Sequence, residues 1–233
     1  MSFFSEIIAV LTPKEIVFKE MKKEQEGIYT FAFEAIKPLE WRAGKHAMFF
    51  ITHNKIKKPM RLFSISSSPS ENRIAITTKI GENPSEYKKA LLELNPTMKM
   101  KLRGPMGPFV LKQDLSYCFI AGGIGITPFR SMMKEIDMSK QKSNGTIKLL
   151  YIDSKESFLF GEELKGMDNE KVSTEFFTDR KVMADRIKQM TSESNDTIFF
   201  VAGSKQMTTS IKQLLIELGV KKNNIKTDTF LGY

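Results

Sequence analysis

The sequence predicts two domains: an antiparallel six-stranded β-barrel over residues 1–112, then a parallel-sheet α/β domain over residues 113–233. In the first half, short strand-like runs are separated by turn signals such as Lys37-Pro38. In the second half, apolar strands alternate with helical segments, which is the order that produces a parallel sheet covered by helices. The charge also divides, because residues 1–113 hold 19 Lys and Arg against 11 Asp and Glu, whereas residues 114–233 hold 17 against 16.

The clearest strand of the first half runs from Ile28 to Ala35, where the bulky apolar residues Tyr29, Phe31 and Phe33 share one face. Residues 46–52 and 73–80 are further strand-like runs, and a helix is predicted over about residues 85–94. Many short strands with frequent turn signals are typical of an antiparallel barrel.

In the second half, five apolar runs predict strands, and the segments between them predict helices. The strands are placed at 117–121, 147–152, 172–177, 198–202 and 225–227, and the helices at 128–136, 160–164, 182–190 and 205–218. Ligands of such sheets bind at the carboxyl ends of the strands.

Composition excludes several classes of protein. No apolar run among the 233 residues approaches the ~20 that a membrane helix needs, and the first residues lack the features of a signal peptide, so we expect a soluble cytoplasmic protein.

The single cysteine, Cys118, forms no internal disulfide or four-cysteine cluster, and its apolar surroundings predict a buried side chain. No spacing of His46 or His53 suggests a metal site. The net charge of +9 favours anionic partners, but no basic stretch carries a nucleic-acid motif.

The sharpest local signal is the run Ala121-Gly122-Gly123-Ile124-Gly125-Ile126-Thr127-Pro128, between a predicted strand and a predicted helix. Glycines let the backbone approach a phosphate, and amides at a helix start favour anions. Pro128 suits a first helical turn. The run therefore predicts a nucleotide site, and the alternative is a plain tight turn between strand and helix.

The second signal is Arg61-Leu62-Phe63-Ser64, followed by a serine-rich turn. Arg61 could bind a pyrophosphate in bidentate fashion, and Phe63 would point the same way in an extended chain and pack on a flat ring. The Ser64 hydroxyl could donate to a ring nitrogen. The alternative interpretation is a strand end followed by a turn.

Together these segments resemble the ferredoxin–NADP reductase-like superfamily along nearly the whole chain. Besides the two runs above, the similarity rests on four segments and on an aromatic C-terminus. In chain order these are Ala43-Gly44-Lys45-His46, Pro84-Ser85-Glu86-Tyr87, Arg103-Gly104-Pro105-Met106-Gly107-Pro108-Phe109, Ala202-Gly203-Ser204-Lys205-Gln206-Met207 and Asp228-Thr229-Phe230-Leu231-Gly232-Tyr233. Three positions depart from the usual pattern: Lys45 replaces a glutamine, Ala202 replaces a cysteine, and the glycine expected three residues before Ser85 is offset, since that position is Glu82 and the glycine is Gly81.

The resemblance implies FAD and a nicotinamide nucleotide as cofactors, and it assigns site residues. Arg61, Pro84 and Ser85 would hold the FAD pyrophosphate, and Leu62, Phe63 and Ser64 would contact the isoalloxazine, with Ser64 near N5. The strand residues Thr77, Thr78 and Lys79 would line the ring. The nucleotide would meet Gly122, Gly123, Gly125, Thr127, Pro128 and Gly203, with Ser64 and Thr127 as the catalytic pair. The flavin would be shielded by Tyr233, or alternatively by Phe230.

The sequence leaves NADH and NADPH open. Asp153 and Asp179 follow consecutive strands, where a carboxylate can bind a ribose diol and repel a 2′-phosphate. Arg180 and Lys181 favour the phosphate instead.

The predicted activity is transfer of a hydride from NAD(P)H to bound FAD, and then of electrons to a separate acceptor. An acidic redox protein such as a ferredoxin or flavodoxin is one expected acceptor, with Lys55, Lys57 and Lys58 as docking residues. Two alternatives stay open: a reductase that uses free flavin as substrate, and an electron-transfer subunit of a larger complex.

Overall fold

The computed structural model describes residues 10–112, 114–139, 145–193 and 196–230. They group into two compact units, residues 1–107 and 108–233. The domain boundary after residue 112 stays a prediction. Among the described residues, no helix is both long and apolar enough to cross a membrane.

The first unit is built on one antiparallel sheet of six strands, in the order β4-β3-β6-β1-β2-β5. A short helix, α1 (Glu86–Leu92), lies between the last two strands of this unit. The strands are β1 (Lys14–Gln25), β2 (Ile28–Ala35), β3 (His46–Ile51), β4 (Met60–Ser64), β5 (Ile74–Lys79) and β6 (Lys99–Met106).

The two edge strands of this sheet meet, which closes the barrel. Immediately after β4, Ile65 forms a bridge to Ile76 of β5, and the amide of Ser66 donates to the carbonyl of Ala75 at 2.8 Å. Pairing at this point covers part of the strand edges that could otherwise template aggregation. The predicted six-stranded barrel is thus confirmed.

Aromatic side chains fill the barrel. Phe31 and Phe33 are fully buried on the face of β2 that the sequence assigned to the core. The ring of Phe33 packs against Phe18 of β1 at 5.7 Å and against Phe49 of β3 at 6.2 Å between centroids. Tilted ring pairs at such distances add to the area burial that drives folding.

The second unit contains a parallel sheet of five strands in the order β11-β10-β7-β8-β9, with α2 to α5 between them. After β7 the chain adds β8 and β9 on one side of that strand, and it then adds β10 and β11 on the other side. The topological switch point of the sheet therefore lies between β7 and β10. The elements are β7 (Tyr117–Gly122), α2 (Thr127–Ser139), β8 (Ile147–Ile152), α3 (Gly161–Lys165), β9 (Val172–Phe177), α4 (Arg180–Glu193), β10 (Ile198–Ser204), α5 (Lys205–Glu217) and β11 (Ile225–Phe230).

The predicted α/β architecture is confirmed, and all five of its strands were located from the sequence. Cys118 is the second residue of β7 and is buried, as expected, and burial raises the pKa of its thiol. Buried thiols of this kind behave as small hydrophobes.

Candidate functional site

The Arg61 segment forms β4, and its side chains alternate between two environments. The Arg61 guanidinium lies over the ring of Tyr87, 5.4 Å from its centroid, and the Phe63 ring lies 5.9 Å from the same ring. Leu62 is 53% exposed. The extended chain therefore directs Arg61 and Phe63 to one common partner, as the sequence predicted.

Positive charge gathers beside this pair. Lys88 of α1 is half-buried, and its pKa is lowered first by burial and then by the nearby charges of Arg61 and Lys79. Among the residues that the structure describes, none of these three cations forms an ion pair with a carboxylate. A cluster of like charges is unfavourable in itself, and an anion bound there would relieve it. The site thus has the chemistry to hold a pyrophosphate.

The helix start next to this cation cluster is already organised by the protein. Ser85 caps α1 by accepting a hydrogen bond from the Lys88 amide at 3.4 Å, and Pro84 precedes it. The Arg61 guanidinium donates to the carbonyl of Met60 at 2.8 Å. These contacts fix the orientation of the cluster before any ligand binds.

The hydroxyls predicted to lie near a flavin ring are buried in the barrel. Thr77 donates to the Ser66 hydroxyl at 2.9 Å and shares a 2.8 Å hydrogen bond with Thr30. Thr78 and Ser64 are also buried. The Thr77 hydroxyl thus already has protein partners, so contacts from this residue to a ligand would come from its backbone.

Lys45, one of the departures from the superfamily pattern, is a buried lysine. Its ammonium donates to the carbonyl of Gly107 at 2.6 Å. A Cβ on Gly107 would lie 2.9 Å from the ring of His46. The start of β3 therefore packs closely against the turn that ends the first unit.

In the second unit, two glycines of the predicted nucleotide loop lie where an added Cβ would meet a close contact. A Cβ on Gly122 would come closer than 3.0 Å to the Met207 sulfur, and one on Gly125 closer than 3.0 Å to the Ala202 carbonyl oxygen. Gly203 is crowded by the same Met207 sulfur at 3.0 Å. The close approach of β7, β10 and α5 at the switch point thus explains these three glycines.

Gly123 differs from its neighbours. Its φ of +52° is left-handed, a conformation that glycine adopts without strain, and the single atom near its potential Cβ is Oδ2 of Asp153, at 3.9 Å. The other carboxylate oxygen of Asp153 accepts a hydrogen bond from the Lys155 amide at 2.9 Å. The structure therefore brings the glycine loop and the predicted ribose carboxylate side by side.

Thr127 begins α2, with Pro128 after it in the first turn. The Thr127 side chain is buried, and its hydroxyl donates to the carbonyl of Ile124 at 3.2 Å. This hydrogen bond ties the helix start to the short 3₁₀ turn over Gly123–Ile126. Thr127 thus shapes the glycine loop from inside the protein.

The other predicted site residues that the structure describes follow β9 or end β11, next to the strand ends that carry Asp153 and Gly203. Asp179 caps α4, because its Oδ1 accepts hydrogen bonds from the amides of Lys181 at 2.6 Å and Val182 at 3.0 Å. Arg180 is exposed in the first turn of that helix. Phe230 ends β11 half-buried, and Tyr233 lies outside the described residues. Asp179 therefore has a structural task besides any role at a ligand.

Three functional candidates were missed by sequence reasoning: Tyr87, Lys88 and Tyr151. Tyr87 and Lys88 are the second and third residues of α1, and the helix start itself was the available signal. No sequence signal marked Tyr151, because its hydroxyl becomes a candidate only through two hydrogen bonds to the backbone that form in the folded chain.

Comparisons with known proteins identify a nucleotide-binding domain in the second unit. Residues 119–213 match the family model described as oxidoreductase NAD-binding domain. Flavohemoprotein A from Dictyostelium discoideum is 28% identical over 93% of this chain and 60% of its own length, and the chain spans about half the length of other curated relatives that it matches.

Solved structures share the architecture of the whole chain. Ferredoxin–NADP+ reductase from Plasmodium falciparum, solved with 2′P-AMP, has a TM-score of 0.76 at 20% identity, covering 95% of this chain and 97% of its own. The cytochrome b5 reductase domain of Ulva prolifera nitrate reductase has a TM-score of 0.77 at 18% identity, covering 94% and 98%. At these identities the structures establish a common fold.

A closed antiparallel barrel followed by a parallel sheet with a glycine loop at its switch point defines the class of two-domain nucleotide-dependent oxidoreductases. Residues 119–213 thus match an oxidoreductase NAD-binding domain, and the resemblance of the motifs to the ferredoxin–NADP reductase-like superfamily is supported by this match and by the common fold. The two-domain fold predicted from the motifs is thus confirmed.

Proposed function

We propose that this protein oxidises NAD(P)H with bound FAD and delivers the electrons to a separate acceptor. The observation that carries the proposal is the cluster of Arg61, Lys79 and Lys88 beside the α1 start. FAD contains a pyrophosphate, which charge-assisted hydrogen bonds from such cations can hold, whereas FMN lacks one. The cluster supports retained FAD over a flavin that leaves as product.

When bound, FAD supplies the redox chemistry, because it accepts a hydride and can pass on single electrons. The protein's contribution is binding and orientation. Arg61 and Ser85 would hold the pyrophosphate, with Phe63 and Ser64 at the ring. The glycine loop with Thr127 would seat the nicotinamide nucleotide, and Asp153 would meet its ribose. The carboxylate beside Gly123 supports NADH, although Arg180 keeps NADPH open.

The proposal is tested by the visible spectrum of the purified full-length protein after FAD is added and the excess removed. We expect flavin absorbance that is lost on anaerobic addition of NADH or NADPH, with NADH effective at the lower concentration. A protein that retains no FAD, or whose FAD neither nucleotide bleaches, would contradict the proposal.

Replacing Thr127 with valine is expected to slow flavin reduction more than it weakens nucleotide binding. The substitution removes the hydrogen bond to the Ile124 carbonyl, and small misplacements of reacting groups cost rate. Stopped-flow reduction at saturating nucleotide measures the limiting rate. The control is Thr208→Val, which removes a buried hydroxyl that donates to the Lys205 carbonyl at 3.2 Å and shares a 2.9 Å hydrogen bond with Thr229. If both variants keep the wild-type limiting rate, Thr127 has no role in orientation.

A surface on the first unit supports an acidic protein as the acceptor. Met60 and Leu62 are 40% and 53% exposed, and their cross-strand neighbours are Phe50 and Met48 of β3. We call these four residues the β4 patch. An apolar centre with a charged rim is common in protein interfaces.

Basic side chains surround the β4 patch. The Arg103 guanidinium lies 5.5 Å from the centroid of the Phe50 ring, and Lys101 is the β6 neighbour of Phe50. Lys57 and Lys58 immediately precede β4 and are exposed. Within the described part of the chain, neither Arg103 nor Lys101 forms an ion pair. Unbalanced positive charge of this kind attracts an acidic surface.

Reduction of an acidic carrier protein should therefore fall as salt screens this charge. We expect the double variant Lys57→Glu/Lys58→Glu to reduce such a carrier several-fold more slowly at low ionic strength, with NADH-dependent flavin reduction unchanged. The control is Lys221→Glu/Lys222→Glu, an equal charge change on exposed residues of the second unit. A carrier rate that is flat with salt, or higher for basic carriers, would remove the electrostatic argument.

A further inference from the structure

The hydroxyl of Tyr151 connects two loops that follow neighbouring strands. Tyr151 lies near the end of β8 and is completely buried. Its hydroxyl donates to the carbonyl of Gly123, at 3.0 Å, and accepts a hydrogen bond from the amide of Leu159, at 3.1 Å. Gly123 belongs to the loop after β7, and Leu159 belongs to the segment after β8.

The two connected segments carry the groups assigned to the nucleotide. The glycine loop holds Gly123 in its left-handed conformation. The segment from Asp153 to Leu159 begins with the carboxylate that lies beside Gly123. A phenol fixed by a rigid strand therefore sets the spacing between the predicted phosphate site and the predicted ribose site.

We propose that Tyr151 is a positioning residue for nucleotide binding, which holds the glycine loop and the Asp153 segment in register. The inference rests on the proposed function, since it concerns the same nucleotide. Without the hydroxyl, the Gly123 carbonyl and the Leu159 amide lose their common partner, and each loop can shift relative to the other. Groups that bind one ligand from two loops depend on such a supporting shell.

The fold does not depend on this hydroxyl alone. The Tyr151 ring packs against Phe158 at 5.4 Å and Phe176 at 6.1 Å, and phenylalanine preserves both contacts. Arg130 of α2 also forms a bidentate pair with Glu163 of α3, with N–O distances of 3.0 and 2.8 Å. Tyr151→Phe should therefore fold, with its effect confined to the register of the loops.

Tyr117→Phe is a matched control from the same sheet. Tyr117 is also buried, and its hydroxyl accepts a hydrogen bond from the Lys112 amide at 2.8 Å. It lies at the amino end of β7, however, and the ligand loops follow the carboxyl ends of the strands. Each variant loses one tyrosine hydroxyl that is hydrogen-bonded to the backbone. The two hydroxyls contact different segments: that of Tyr151 contacts the two ligand loops, and that of Tyr117 contacts the segment before β7.

The experiment titrates the full-length protein with NADH and with NADPH without added flavin, and follows nucleotide fluorescence. We expect Tyr151→Phe to raise the Kd of the better nucleotide about five- to tenfold, the scale of one lost hydrogen bond, and Tyr117→Phe to change it less than about twofold. Hydrogen exchange at the Leu159 amide should accelerate in Tyr151→Phe.

Equal Kd values for the wild type and Tyr151→Phe would overturn the inference and leave the proposed function intact. Equal weakening by both tyrosine variants would also overturn it, because the effect would then reflect general stability. If the wild type binds neither nucleotide, the proposed function fails, and the inference fails with it.

Discussion

Replacing Arg61 with alanine is expected to weaken FAD binding by about 2–4 kcal/mol, because a buried phosphate loses a charge-assisted partner. This corresponds to a Kd roughly 30- to 1,000-fold higher. The guanidinium lies over Tyr87, and its charge contributes to the lowered pKa of Lys88. The loss should therefore appear for a ligand whose phosphates reach this cluster.

FMN provides the internal comparison, because it has the same ring without the pyrophosphate. The wild type should bind FAD more tightly than FMN, and Arg61→Ala should remove most of that difference while FMN affinity changes little. Calorimetric titration with both flavins measures it. Arg73→Ala is the control, since Arg73 forms exposed ion pairs with Glu20 at 3.2 Å and Glu71 at 3.4 Å, and such pairs contribute little. Equal wild-type affinity for the two flavins would contradict the assignment of Arg61.

The strands that sequence reasoning located are those whose alternation or apolar content is unbroken. β2, β8 and β9 were placed at their observed ends because each is bounded by turn residues. β1 was missed, since Glu20 to Gln25 is mostly charged and largely exposed, so no apolar face marks it. That part of the strand is held by its backbone ladder to β2, and ladder bonds leave no trace in side-chain patterns.

The candidate site was predictable where a motif stands on one segment, and less so where segments meet. The pairing of Arg61 with Phe63 follows from alternation along a single strand. Lys88 could not be assigned, because its neighbours Arg61 and Lys79 come from two separate strands. Asp179 shows the opposite problem: a carboxylate after a strand suggests a ribose ligand, and the same position suits a helix cap.

Replacing Gly125 with alanine is expected to lower the free energy of unfolding of the second unit by about 1–3 kcal/mol, the scale of an overpacked interior. The new Cβ would lie 2.8 Å from the amide nitrogen of Gly203 and still closer to the Ala202 carbonyl. Both atoms belong to the backbone of β10, which is hydrogen-bonded to β7 and β11. Because β10 is held by hydrogen bonds on both sides, we expect the glycine loop to move instead. Nucleotide affinity should therefore fall together with the free energy of unfolding.

Two further alanine variants allow the losses of stability and of NADH affinity to be ranked. Gly122→Ala also creates a close contact, but with the Met207 sulfur at the end of a flexible side chain that can rotate away. Gly81→Ala meets nothing within 4 Å. Denaturant unfolding and NADH titration should therefore rank the losses as Gly125→Ala, then Gly122→Ala, then Gly81→Ala. A Gly125→Ala protein as stable as Gly81→Ala would show that β10 does yield. Normal stability with lost NADH binding would instead mean that Gly125 is required by the nucleotide itself rather than by packing.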